Sequence, residues 1–238
     1  MEKLKKAKNI EIPDVYYNRI YTGYPIFDDI LLGLIPGEVI ALDAERGTGK
    51  TQFCLQLLES LSEYDIGYFT NEEAAMQIAF NAKRIGALNV PISDDAYCLD
   101  NLLNAMEKLS IMVIDSFSMI TTTKVRGQRN IEKYCIEQLV QQAKKTQCIL
   151  IIILHQTKTK QSKGSSSIQH LVDLCMHIHK SKINEQVRII STTKNRFGKT
   201  TSINTQMTNK GFLLHTEEYK EVKSDNINIF NICDWFSR

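Results

Sequence analysis

The sequence predicts an α/β fold with a mostly parallel central sheet, helices on both faces and antiparallel strands at its end. Three observations carry that expectation. From residue 37 to 155, apolar strand-like runs alternate with amphipathic helical stretches, the pattern of a parallel sheet connected by helices. The first run, Val39-Ile40-Ala41-Leu42, feeds a glycine-rich turn and then Gln52-Phe53-Cys54-Leu55-Gln56-Leu57-Leu58 at helical spacing. Beyond residue 174 the apolar runs follow one another without helices between them.

In chain order, residues 1–17 form an N-terminal arm, Lys-rich at first and irregular around Pro13. Residues 18–212 form the core, and 213–238 a polar, then aromatic tail with Phe230, Trp235 and Phe236. Strands are expected near 38–43, 66–70, 96–99, 110–115 and 148–154, and helices near 50–63, 73–86, 100–108 and 130–146. Strands near 174–180, 186–193 and 202–207 complete the sheet. No internal repeat or low-complexity segment interrupts this order.

Composition bounds the class. The chain has 238 residues, 43% hydrophobic and 24% charged, which suits one substantial globular domain. A net charge of +2 means that any nucleic-acid site must come from local clustering. No apolar run approaches the roughly 20 residues needed to span a bilayer, and no apolar stretch follows Met1-Glu2-Lys3-Leu4-Lys5-Lys6 as a secretory leader requires. The six cysteines (54, 98, 135, 148, 175, 233) are scattered, with no Cys-x-x-Cys. Four lie in or beside apolar runs and read as small buried hydrophobes. A reducing cytoplasm, no disulfide framework and no zinc site are expected.

The turn Ala44-Glu45-Arg46-Gly47-Thr48-Gly49-Lys50-Thr51, continuing into Gln52, has the strand-before, helix-after context of a phosphate-binding P-loop. Successive backbone N–H groups form an anion nest there, and the helix N-terminus adds partial positive charge. Lys50 is placed to reach β/γ-phosphates and the Thr51 hydroxyl to ligate Mg²⁺. Ala44 departs from the usual first glycine, which the turn tolerates if its φ stays negative.

Two acids complete a candidate ATP site. Ile111-Met112-Val113-Ile114-Asp115 ends an apolar run in a carboxylate 65 residues after Lys50. Such runs also occur where a strand merely ends in a polar residue, but after a P-loop Asp115 is placed to hold Mg²⁺ opposite Thr51. Ser116 follows it. Ile66-Gly67-Tyr68-Phe69-Thr70-Asn71-Glu72-Glu73 ends a second strand in acids. Glu72 is expected to activate water, while Glu73 serves the N-terminus of the next helix, which favours a carboxylate.

Arg19-Ile20-Tyr21-Thr22-Gly23 through Asp28, Leu32-Gly33 and Pro36-Gly37 resembles the opening segment of RecA/KaiC-type ATPases. Tyr68 through Ile78, with Ala82-Lys83-Arg84-Ile85-Gly86, resembles the bacterial recombination ATPase family RadA, also called Sms. So do His155-Gln156-Thr157-Lys158, Gly164, Ile168-Gln169-His170-Leu171-Val172-Asp173 and Met207-Thr208-Asn209-Lys210-Gly211-Phe212. Lys194-Asn195-Arg196-Phe197-Gly198 resembles that family's pentapeptide signature. The likeness runs collinearly over about residues 18–212 and implies a RecA-like P-loop core. The family's four-cysteine zinc module and Lon-like domain have no counterpart in this sequence, which in that respect is similar to core-only recombination ATPases of bacteriophages.

The resemblance implies roles for further residues. His155 stands where the family has a polar sensor of the γ-phosphate, although a strand-end histidine can also be purely structural. Lys194 and Arg196 match residues that, in RadA and DnaB-type hexamers, reach the neighbouring subunit's γ-phosphate; a basic turn in solvent is the plain alternative. Two loops at C-terminal strand ends face a ring or filament axis in this family. One carries Lys124, Arg126 and Arg129, the other Lys158, Lys160 and Lys163. Lysine and arginine among hydroxyls, without aromatic platforms, suit salt-sensitive phosphate contacts to single-stranded DNA rather than base reading.

The expectation is thus an ATP- and Mg²⁺-dependent DNA recombination and repair ATPase, cytoplasmic in a bacterial or phage-infected cell. It acts on single-stranded DNA as a homo-oligomer, a hexameric ring or filament, without membrane or zinc. A DnaB-type helicase motor and a KaiC-like, DNA-independent signalling ATPase are the rival expectations.

Overall fold

A computed structural model describes residues 4–155 and 165–214, with residues 155 and 165–167 described by backbone alone. The elements in order are α1 (Pro25–Leu31), β1 (Val39–Ala44), α2 (Lys50–Glu59), β2 (Ile66–Thr70), α3 (Ala75–Ile85), β3 (Ile92–Ser93) and α4 (Leu99–Met106). There follow β4 (Ile111–Asp115), α5 (Gln128–Thr146), β5 (Ile149–His155), α6 (Ser165–Leu171), β6 (Leu174–Lys180), β7 (Val187–Asn195), β8 (Ser202–Thr208) and β9 (Gly211–Leu214). They build a nine-stranded sheet in the order β3-β2-β4-β5-β1-β6-β7-β8-β9. Pairing is parallel from β3 to β6 and antiparallel from β6 to β9.

Strand alternation divides the core in two. Ile40, Leu42 and Ala44 of β1 face the layer formed by α1, α2 and α3, with Phe53, Leu57 and Ile78. Val39 and Ala41 face the layer of α4, α5 and α6, with Leu102, Leu139 and Ile168. Burial on both faces explains why the parallel strands read as continuous apolar runs. The P-loop leaves the C-terminal end of β1, with β5 on one side and β6 on the other. That is the crevice where ligands bind in open α/β sheets.

Two expectations are corrected. Residues 96–99 do not form a strand; the edge strand is Ile92–Ser93, and α4 already begins at Leu99. The Ala96 carbonyl is taken by the Asn71 side chain, and Cys98 makes only an isolated parallel bridge to Thr121, outside the nine-stranded sheet. Nor does Glu73 serve α3, which starts at Ala75 with no acid in its first turn. The Ala75 N–H donates to Asp94 Oδ2 (3.0 Å) and the Ala74 N–H to Gln77 Oε1 (3.2 Å) instead. Among the described residues, Cys54, Cys135, Cys148 and Cys175 are buried, in line with the expectation that four of the six cysteines serve as small hydrophobes. Among the described residues no helix is long and apolar enough to cross a membrane.

Candidate nucleotide site

The turn after β1 needs its glycines. Gly47 and Gly49 have φ of +71° and +101°, and a Cβ on Gly49 would lie 2.8 Å from Phe212 Cζ. Thr48, fully buried, donates from Oγ1 to the Glu45 carbonyl (2.8 Å), while the Arg188 Nε on β7 donates to the Thr48 carbonyl (3.2 Å). Arg188 therefore braces the P-loop from the antiparallel half of the sheet. Lys50 opens α2, is only 8% exposed and donates from Nζ to the Ala44 carbonyl (3.0 Å), closing the turn. Burial pushes its ammonium pKa down, and the charges of Asp115, Glu72 and Asp43 oppose that shift.

Asp115 ends β4 at 4% exposure. Its Oδ2 accepts from the Tyr68 hydroxyl (2.5 Å) and from Thr51 Oγ1 (3.4 Å). A hydroxyl and a carboxylate converging beside the P-loop are the hard oxygen donors that Mg²⁺ takes when phosphates fill its remaining positions, so these residues fit the ion. Among the described residues no group of three or more His, Cys, Asp or Glu side chains could hold a metal alone, and a phosphate-bridged Mg²⁺ needs none.

Asn71 fixes the neighbouring strand end. Its N–H donates to the Asp115 carbonyl (2.8 Å), and its side-chain amide binds both the N–H (2.8 Å) and the carbonyl (3.0 Å) of Ser116. Thr70 Oγ1 accepts from the N–H groups of Glu72 and Glu73. Both acids thus leave β2 toward the site. Glu72 is exposed and its charge acts on Lys50. Glu73 is half-buried, and burial, then the charges of Asp115 and Glu72, push its carboxyl pKa up.

His155 ends β5 in register with Ala44, so its backbone lies beside the start of the P-loop. Lys124, Arg126 and Arg129 are exposed beyond the C-terminal end of β4. Arg129 lies in the first turn of α5, which begins two residues earlier than the helical pattern indicates. Lys158, Lys160 and Lys163 lie outside the described residues.

Lys194 and Arg196 sit elsewhere. Lys194 is in register with Cys175, and Cys175 with Ala41, whereas the P-loop leaves at Ala44 opposite Ile178. At about 3.3 Å per residue that is roughly 10 Å toward the other end of the sheet, and two strands across. Lys194 Nζ donates to the carbonyls of Gln169 (2.7 Å), His170 (3.2 Å) and Val172 (2.6 Å) at the C-terminal end of α6, a favourable place for a cation. Arg196 donates to Asp173 Oδ1 (2.8 Å) and to the His170 carbonyl (2.9 Å), with its side chain 42% exposed. Asp173, buried, also accepts from the Val39 N–H through Oδ2 (3.1 Å). Neither basic residue approaches its own chain's P-loop.

A P-loop on the central parallel strand, with an acid closing the strand two places away, defines a RecA-like P-loop ATPase. Solved structures agree in fold: a DnaB-like replicative helicase (TM-score 0.70, 14% identity, 82% of this chain and 61% of that one) and the RadB recombinase (TM-score 0.60, 18% identity, 81% and 98%). No family model matches the chain. By sequence the core is RadA-like. It is 31% identical to the DNA repair protein RadA of Rickettsia conorii over 199 residues (79% of this chain, 43% of that protein). It is 27% identical to that of Streptococcus pneumoniae over 212 residues (85% and 50%). The chain therefore spans about half the length of the curated relatives it matches.

Proposed function

We propose that this chain is a DNA recombination and repair ATPase that binds single-stranded DNA and hydrolyses ATP between subunits of a ring or helical oligomer. The convergence of Lys50, Thr51 and Asp115 at the carboxyl ends of β1 and β4 carries the ATP part of this reading. Lys50 leaves the Ala44 carbonyl for the β/γ-phosphates. Thr51 and Asp115 would hold Mg²⁺, which would supply positive charge against the charge developing on the phosphates. Glu72 orients and deprotonates the attacking water. His155, beside the P-loop strand, senses the γ-phosphate.

The position of Arg196 supports hydrolysis between subunits. An arginine that far from its own P-loop, yet 42% exposed, reaches a neighbour's γ-phosphate by exchanging Asp173 and the His170 carbonyl for it, and a trans arginine there stabilises the transferring group. Lys194, held by three carbonyls, fixes the loop that carries Arg196. Lys124, Arg126 and Arg129, beyond the end of β4, contact DNA phosphates together with Lys158, Lys160 and Lys163, so that nucleotide state and DNA binding are coupled.

ATPase rate and oligomer size, each with and without single-stranded DNA, test the proposal. DNA-stimulated turnover by an oligomer is expected. Turnover indifferent to DNA, with no DNA binding at low salt, would reduce the chain to a DNA-independent ATPase. Processive unwinding of a forked duplex would make it a helicase motor.

A further inference from the structure

The loop between β7 and β8 that carries Arg196 is gripped on two flanks. On one, Lys194 and Arg196 bind the end of α6 and Asp173, and the Arg196 N–H donates to the Asp173 carbonyl (3.0 Å). On the other lies the N-terminal arm. Residues Asp14–Tyr16 form a short 3-10 turn that sets the Tyr16 ring 5.9 Å from that of Phe197, tilted by 57°. The Arg19 guanidinium then forks, donating from Nη1 to the Leu32 carbonyl (2.8 Å) and from Nη2 to the Phe197 carbonyl. Gly198 is pressed into the same place, since a Cβ there would lie 2.9 Å from Leu32 Cδ1. Within the loop, Asn195 Oδ1 accepts from the Phe197 N–H (2.9 Å). Phe197, next to Arg196, is thus tied through its ring to the arm and through its carbonyl to Arg19, just beyond the arm.

We propose that Tyr16 and Arg19 are positioning residues for Arg196, so that the N-terminal arm sets the rate of ATP hydrolysis in the neighbouring subunit. The inference rests on the reading of Arg196 as acting in trans. Removing the Tyr16 ring takes away the arm's ring contact with Phe197 and leaves Arg19 as the hydrogen-bonded tie from the start of the core to its carbonyl. Displacement of a charge-stabilising group by about an ångström costs up to roughly 10²-fold in rate. The arm is suited to transmit such a change. Tyr16 is 46% exposed, and Ile10 and Ile12 upstream are also exposed, so a partner that draws the arm away acts directly on the loop. The Arg19 fork needs two donors in one plane, which a lysine lacks.

The test uses full-length Tyr16→Ala and Tyr16→Phe chains. Tyr16→Ala should lower kcat about tenfold or more while affinity for a fluorescent ATP analogue and the melting temperature stay near wild type. Tyr16→Phe, which keeps the ring contact, should restore kcat. Mixing Tyr16→Ala subunits with Lys50→Ala subunits should return activity, because the latter supply an intact arm and arginine to the former's intact P-loop. Wild-type kcat in Tyr16→Ala overturns the inference. So does failure of that mixture to recover when Arg196→Ala mixed with Lys50→Ala does recover, an outcome that leaves the intersubunit reading standing. If neither mixture recovers although mixed oligomers form, both readings fall.

Discussion

Replacing Glu38 by Gln should make stability less sensitive to pH. Glu38 begins the turn into β1, is 3% exposed, and its Oε2 accepts from the Ile35 N–H (3.1 Å). Burial raises its pKa from 4.5 to about 7; the hydrogen bond from Ile35 lowers it, the charge of Asp173 raises it and Arg19 lowers it. A carboxyl that binds its proton more tightly in the folded chain makes the folded state lose stability as pH rises from the unfolded pKa toward the folded one. The loss therefore runs from about pH 4.5 to about pH 7 and is complete above. Each tenfold change in proton affinity is worth about 1.4 kcal/mol, so ionising Glu38 costs the fold about 3 kcal/mol, of which about 2 kcal/mol falls between pH 5 and pH 8. Glutamine keeps an oxygen for the Ile35 N–H but has no proton to lose. The stability of Glu38→Gln relative to wild type, measured by urea unfolding, should therefore improve by about 2 kcal/mol from pH 5 to pH 8, or roughly 4–8 °C in melting temperature. A difference independent of pH over that range would refute the argument that burial controls this carboxyl.

Three further outcomes follow from the site. Tyr68→Phe removes a buried donor to the Asp115 carboxylate and should destabilise the chain by about 1–3 kcal/mol in unfolding experiments; a change below about 0.5 kcal/mol would mean that this bond contributes little. Glu72→Gln should retain ATP binding and lose about 10²–10⁴-fold in turnover, with Glu73→Gln much less affected; the reverse order would transfer the water-activating role to Glu73. Replacing Lys158, Lys160 and Lys163 by Ala should flatten the salt dependence of single-stranded DNA binding, by roughly 0.7 in log–log slope for each DNA phosphate no longer neutralised. An unchanged slope would remove that loop from the DNA site.

The parallel half of the fold is legible because each strand is buried on both faces and so appears as an uninterrupted apolar run. Val39–Ala44, Ile111–Asp115 and Ile149–His155 are of this kind. Elements too short to show a period are hidden: α1 and α6, each of seven residues, and the two-residue β3. In the site, Lys50, Thr51 and Asp115 can be read because the P-loop chemistry is local. The groups that hold them cannot. Tyr68 meets Asp115 across 47 residues, Asn71 meets Ser116 across 45, and Arg188 meets Thr48 across 140. No local pattern marks such a partner; only the strand order brings it near. The same holds for Lys194, whose binding to the end of α6 depends on the β6–β7 pairing.

The claim that ATP is hydrolysed between subunits is tested most directly by mixing two inactive proteins. Arg196→Ala keeps its P-loop and should bind ATP, but should lose about 10³-fold or more in turnover. Lys50→Ala keeps its arginine and should neither bind nor turn over ATP normally. In mixed oligomers some interfaces pair an intact P-loop with an intact Arg196, so activity should return in proportion to their number. If mixed oligomers form and no proportion of the two restores turnover, Arg196 does not act on a neighbour's nucleotide and the intersubunit mechanism is wrong.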